Sequence, residues 1–293
     1  MLKHLHEKPT QPSRVVILGA AGFVASTSHK RLLSLDVSVL PLSRAELDLT
    51  SPDAGKQLTS LLTPTDSLLF VAAKAPVKNE AMLIENLHMA EAVCEAVRDV
   101  PVQHLVYISS DAVYADSDQP LDESSNAQPD SLHGVMHLAR EVMLSNAYQG
   151  PLCFLRPTLI YGPGDPHNGY GPNRFMRQAH AGEEIRLFGE GEEQRDHVSV
   201  TDVAELVSQV LHHQSTGILN ITSGIVASFR EIAEHIAGLV AYPPIVTGTP
   251  RVGKMPHNGY RAFDCSATNA AFSDFQYTSI FQGLTNYNNQ IKG

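Results

Sequence analysis

The chain has no tryptophan, and cysteine is scarce: Cys94, Cys153 and Cys265 are the three in 293 residues. An odd number of widely spaced thiols does not build a disulfide frame, so reduced cysteines and a cytoplasmic location are expected. No apolar run approaches the roughly 18 residues of a membrane span, so no membrane partner is expected. The opening, MLKHLHEKPTQPS, lacks the apolar stretch of a secretory signal and reads as a loose tail. Basic residues are outnumbered, 21 Lys and Arg against 31 Asp and Glu, for a formal charge of -10. Nucleic-acid binding needs a basic face, which this balance does not offer. A small phosphate ligand in a local pocket is still allowed.

What is present is ordinary globular material, 43% hydrophobic and 18% charged, in a chain long enough for a large core. RVVILGAAGFVASTSHKRLL opens with a β-branched run, passes through small residues and continues with helical spacing. DVSVLPLSR, DSLLFVAAKAP, QHLVYISSDAVY and LCFLRPTLIYG each read as one further strand, and AMLIENLHMAEAVCEAVRDV reads as a helix. Strands alternating with helices predict an α/β fold: a doubly wound parallel Rossmann sheet with a smaller mixed α/β substrate domain. Residues 1–13 are the expected tail and 14–157 the dinucleotide-binding part, with a return of the chain near 198–224. Residues 158–197 and 225–293 then form the substrate-binding region.

Within GAAGFVA, Gly19 permits a tight turn after the first strand, and Gly22 lets the backbone approach a pyrophosphate. Ala25 stands where a third glycine would allow close helix packing, and Ala21, Phe23 and Val24 complete the candidate cofactor turn. The free N–H groups of the helix start then face the phosphates. At the end of the second strand a carboxylate would accept a ribose 2′-OH, but the sequence has Ser43 and Arg44. A hydroxyl and a guanidinium suit a 2′-phosphate, so NADP(H) is favoured and NAD(H) is possible. The competing reading of Arg44 is a solvated surface charge, and Asp48 reads as an adenine neighbour or a turn residue.

YISSDAVYADSDQPLDESSNAQPDSLHG resembles the extended short-chain dehydrogenase/reductase family, the nucleotide-sugar epimerases, dehydratases and reductases. GAAGFVA, LSRAELDLT, FVAAKAP, IENL, LRPTLIYGPGDP, LFGEGEEQRDHVSVTDVAE and ILNITSG match in the same order, over residues 14–275. The resemblance implies a nicotinamide dinucleotide beside Ala72, Ala73 and Pro157 and a nucleotide-sugar substrate. It implies that Ser110 bonds the reacting sugar oxygen, that Asn173 and Arg195 hold the diphosphate, and that Arg261 is a second phosphate ligand. Asp111 stands where dehydratases of the family carry an acid, but Ala112 replaces the glutamate that follows it there. Epimerisation or reduction is therefore the expected reaction, and a homodimer is common in the family. For Arg195 the competing reading is an ion pair with Asp196, and Asp202 reads as a helix cap.

The family's Tyr-x-x-x-Lys positions carry His133 and His137. An imidazole titrates near 6.5 and needs no activating cation to exchange protons at neutral pH, so His133 is the candidate base. His137 can offer the ribose one hydrogen bond but no permanent charge. Two alternatives compete. One is a member without hydride chemistry, which binds a nucleotide sugar or dinucleotide or acts as a non-redox lyase or isomerase. The other is a metal on the histidine pair, for which the sequence supplies no third ligand at metal-site spacing. The enzyme is the favoured reading.

Overall fold

A computed structural model describes residues 2–292. From the N-terminus the elements are β1 (Lys3–His4), β2 (Arg14–Leu18), α1 (Phe23–Leu33), β3 (Val39–Leu42), α2 (Ala54–Leu61), β4 (Asp66–Phe70) and α3 (Glu80–Asp99). Next come β5 (His104–Ile108), a 3-10 turn at Asp111–Val113, α4 (Leu132–Ala147), β6 (Leu152–Pro157), β7 (Leu159–Tyr161), α5 (Pro172–Ala181) and β8 (Ile185–Phe188). The rest is β9 (Gln194–Ser199), α6 (Val200–His212), β10 (Ser215–Ile221), β11 (Val226–Ser228), α7 (Phe229–Gly238), β12 (Val246–Thr249), β13 (Tyr260–Arg261), α8 (Ser266–Ala271) and α9 (Ile280–Lys292). None of the described helices is long and apolar enough to cross a membrane.

Seven strands form the main sheet in the order β1-β10-β6-β5-β4-β2-β3. All pair in parallel except β1, which runs antiparallel to β10. The central strands β4 and β5 are buried at every residue, as a sheet covered on both faces requires. One cover is α2, α3 and α4, around Leu58, Val93 and Leu144. The other is α1 and α6, around Leu32, Val203 and Val207. Pro41 is tolerated in β3 because that strand has a partner on one side only. The fold is thus α/β with a doubly wound, parallel-dominated sheet.

LCFLRPTLIYG, expected as one strand, is two. The chain leaves the main sheet at Thr158, whose hydroxyl donates to Asp196 at 3.0 Å. From there β7 pairs with β9, in a second sheet that also contains β11 and β13. A third apolar cluster, with Phe175, Phe229 and Leu284, holds α5, α7 and α9 around it. The chain returns to the main sheet at β10.

The N-terminal segment is not the loose tail expected from its composition. The His4 ring bonds Ser215 Oγ at 2.7 Å and the Ala271 carbonyl at 3.0 Å, while Leu5 and His6 donate to the His213 carbonyl. An open strand edge has unpaired N–H and C=O groups, and this segment covers those of β10.

Beneath the carboxyl ends of β5 and β6 lies a buried ion pair. Arg156 meets Glu141 of α4 through two nitrogens, at 2.9 and 2.6 Å, and Ser109 donates to the same carboxylate at 2.6 Å. Both charged side chains are almost fully enclosed. Glu141→Ala strands the guanidinium in the core, and a loss of about 3–5 kcal/mol is expected. Denaturant unfolding measures it.

Candidate active site

Between β2 and β4 the strand order reverses, with β3 on one side and β5 onward on the other. Open α/β sheets hold ligands in the crevice outside the carboxyl ends at such a point. Here Gly19 turns with φ of +84°, and a Cβ on it would stand 2.7 Å from the Ala72 Cα. Two backbones touch, and glycine alone fits between them. Gly22 is the N-cap of α1, with no side-chain cap and no acidic residue in the first turn. The N–H groups and positive dipole end of this helix are left for a ligand anion. This cradle fits the pyrophosphate of a dinucleotide.

From that turn a cavity of about 790 Å³ runs across the carboxyl ends of the strands, a size typical of ligand sites. Gly19, Ala21, Gly22, Phe23 and Val24 line one end, with Arg44 and Asp48 beside them, and Ala72, Ala73 and Pro157 follow. Ser110, Asp111, His133 and His137 form the middle, and Asn173 and Arg195 the far wall. Two of the expected ligands are not on the wall. Ser43 gives its hydroxyl to Glu46. Arg261 is buried and spends its donors on Asp111 at 3.1 Å and Asp116 at 2.9 Å, and on the Asp111 carbonyl at 2.7 Å. A guanidinium committed to two carboxylates has little left for a phosphate.

The histidine pair sits where α4 meets the 3-10 turn. Gly134 makes that approach possible, since a Cβ there would lie 2.0 Å from the Ala112 carbonyl oxygen. The two rings meet edge to face with centroids 4.7 Å apart. His137 Nδ1 is 2.7 Å from the Tyr107 hydroxyl, so one ring nitrogen is left to offer the cavity. His133 Nδ1 is buried without a partner, and Nε2 is the atom left to face the ligand space. Burial lowers the pKa of His133, Asp111 opposes it, and Arg140 adds a smaller lowering. Burial, then His133 and Arg140, hold His137 well below the usual imidazole range. Tyr107 is pushed up to about 12 by burial and stays a neutral phenol.

Ser110 caps the 3-10 turn, accepting from Ala112 N at 3.1 Å, which fixes its hydroxyl beside the cavity. Asn173 Oδ1 accepts from Gly162 N at 2.9 Å. Arg195 pairs with Glu193 at 3.0 Å, not with Asp196, whose carboxylate is taken by Thr158 and Ser223. Ser199 is the cap of α6, and Asp202 instead ties that helix to Thr278.

The sequence profile of the NAD dependent epimerase/dehydratase family matches residues 15–222. The chain belongs to this family. It is 29% identical to a UDP-glucose 4-epimerase of Mycolicibacterium smegmatis over 78% of this chain and 83% of that one. A dTDP-4-dehydro-6-deoxy-D-allose reductase of Streptomyces bikiniensis is 25% identical, over 78% and 82% of the two chains. The structure of a Thermus thermophilus UDP-glucose 4-epimerase complex with NAD superposes with a TM-score of 0.84, at 23% identity, over 96% of this chain and 99% of that one.

In this family member, the residues missed from sequence are those that lie behind the cavity wall. Tyr107 lies in a buried strand and Arg140 on α4, where sequence pattern does not set them apart from a core aromatic and a solvated charge. His197 is also on the cavity wall, with its Nε2 buried and unpartnered, and burial lowers its pKa to about 3. The spacing of Arg140, three residues after His137, was the available signal, but periodicity does not tell a buried polar residue from an exposed one. Gly19→Ala is expected to cost about 1–3 kcal/mol in strain and to abolish dinucleotide binding. Unfolding curves and a fluorescence titration with NAD⁺ and NADPH check both effects.

Proposed function

We propose that this family member interconverts nucleotide sugars, as an epimerase or reductase, with His133 as the proton-exchanging group. The observation that carries this reading is a half-buried imidazole of lowered pKa in the same cavity as Ser110, at the position that the sequence resemblance assigns to the family's tyrosine. A nicotinamide dinucleotide, when bound, supplies the two-electron exchange. Ser110 hydrogen-bonds the reacting oxygen. His133 takes the hydroxyl proton as the carbonyl forms and returns it when the carbonyl is reduced. Neutral His133 has a free lone pair at pH 7, so no cation is needed to activate it. His137 buttresses His133 edge to face. Arg195 and Asn173 hold the diphosphate, Arg195 exchanging Glu193 for phosphate oxygens.

The cofactor we favour is NADP(H). Arg44 follows β3 at the cavity mouth, largely exposed and tethered to Asp48 at 3.2 Å. The guanidinium is free to trade that pairing for a 2′-phosphate.

A proton NMR time course with NAD⁺, NADP⁺ or NADPH and a panel of UDP-, GDP-, dTDP- and CDP-sugars tests the activity. New anomeric signals are expected. An unchanged panel with ligand line broadening points instead to a binding protein without turnover.

Because the His133 pKa lies below 6.5, its base form prevails at neutral pH. Turnover in the alcohol-oxidising direction is expected to be flat from neutral pH upward and to fall as pH drops through the lowered value. A rate still climbing above pH 7 would sink the histidine base. For Arg44→Ala, NADP(H) affinity is expected to drop about 10- to 100-fold with NAD(H) little changed. Titration with both dinucleotides checks it.

A further inference from the structure

In β1 and the residues around it the side chains alternate. Leu2, His4 and His6 are turned inward, while Lys3, Leu5 and Glu7 are exposed. A period of two is that of a strand laid on a sheet. His4 pairs with Ser215 of β10, and without β1 the strand β10 would be the edge of the main sheet. Imidazoles hold the inward face. His4 Nε2 donates to the Ala271 carbonyl at 3.0 Å, and its Nδ1 meets Ser215 Oγ at 2.7 Å. His213 Nδ1 donates to the His6 carbonyl at 2.8 Å, and its ring lies against that of His4 with centroids 4.5 Å apart. From β5, the fully buried His104 donates through Nε2 to the Ser215 carbonyl at 2.8 Å.

That last bond fixes the tautomer of His104 and leaves Nδ1 as a lone pair. The atom is buried without a partner, as is His6 Nδ1. A proton on His104 Nδ1 would create an enclosed donor with nothing to bond and a charge with no counter-ion. Protons on both His4 and His213 would set two cations ring against ring.

We propose that the N-terminal segment is an acid-released strap: protons on His4, His6, His104 and His213 favour its detached state, which peels β1 from β10 and bares the sheet edge. A bare edge is open to pairing with another strand. The inference does not depend on the reading of His133.

No neighbouring charge compensates these protons. On the segment itself Lys3, Glu7 and Lys8 are exposed. At the end of α6, His212 has its Nδ1 on the Ser208 carbonyl at 2.8 Å. After α8, Phe272 packs on His4 and His213, and Asp274 is exposed. Among the described residues, the histidines paired with a carboxylate are His88 and His257, which lie elsewhere. Burial lowers the pKa of His104 to about 4, with the Ser215 carbonyl opposing and His6 adding a smaller lowering. In the detached state its ring regains the ordinary value of 6.5. The detached state thus binds more protons, so the strap holds fully above pH 6.5 and weakens as pH falls towards 4. From pH 7 to pH 5, His104 alone shifts the equilibrium about 20-fold.

The test is amide hydrogen exchange on the whole chain across that pH range, corrected for intrinsic rates. The reporters are Leu5, His6 and Thr10, whose N–H groups donate to the His213 and His212 carbonyls. Their protection is expected to fall about 20-fold or more, while β4 and β5 stay protected. In His104→Gln, where an amide can still donate to Ser215 but cannot titrate, the fall should shrink. If that variant does not fold, His6→Gln on the strap itself should blunt the fall in the same way. Protection unchanged with pH leaves no switch and overturns the proposal. So does protection lost in step with β4 and β5, which is global acid unfolding. A fall of undiminished size in the folded variants assigns it to other groups and overturns it as well.

Discussion

Helix α4 meets the sheet through charge as well as through apolar surface. Arg140 and Glu141 are consecutive, and both are buried. The first grips carbonyls of the β4–α3 side, and the second closes on Arg156 of β6. Together they fix the rotation of the helix about its own axis, because a buried charge cannot turn away from its partners without stranding itself. That rotation places His133 at the cavity and His137 against Tyr107. Gly134 then lets the first turn of the helix lie on the segment carrying Ser110 and Asp111. Relative placement of helix, turn and cradle is what makes one cavity out of three chain segments.

The same enclosure decides the chemistry. A phenol needs a nearby cation to lose its proton near neutrality, whereas an imidazole needs to be kept from gaining one. Burial acts in the second direction and outweighs Asp111, which opposes it. On the proposed reading of His133, burial of the pair is what keeps a neutral imidazole available there as a base. Asp111, held by Arg261, works against it by raising the proton affinity of His133. The arginine expected to bind phosphate is instead committed to Asp111 and Asp116.

The order of strands and helices was legible because buried parallel strands read as apolar runs and their helices carry a 3.6-residue pattern. The glycine turn was legible because backbone contact at Gly19 admits one residue type. Less legible was anything set by partners distant in sequence. The N-terminal residues look polar and loose, yet their carbonyl and imidazole groups find Ser215 and Ala271 across the sheet edge. Thr158 looks like the middle of a strand, yet Asp196 draws it out of the sheet.

Local pattern, then, determined the elements, the crevice and the identity of the residues at positions 133 and 137. Tertiary structure decided their protonation and their neighbours. Proton affinity depends on burial and on charges brought near by folding, and Arg140, Tyr107 and Arg261 enter the argument through space, with Arg261 arriving from 150 residues beyond Asp111.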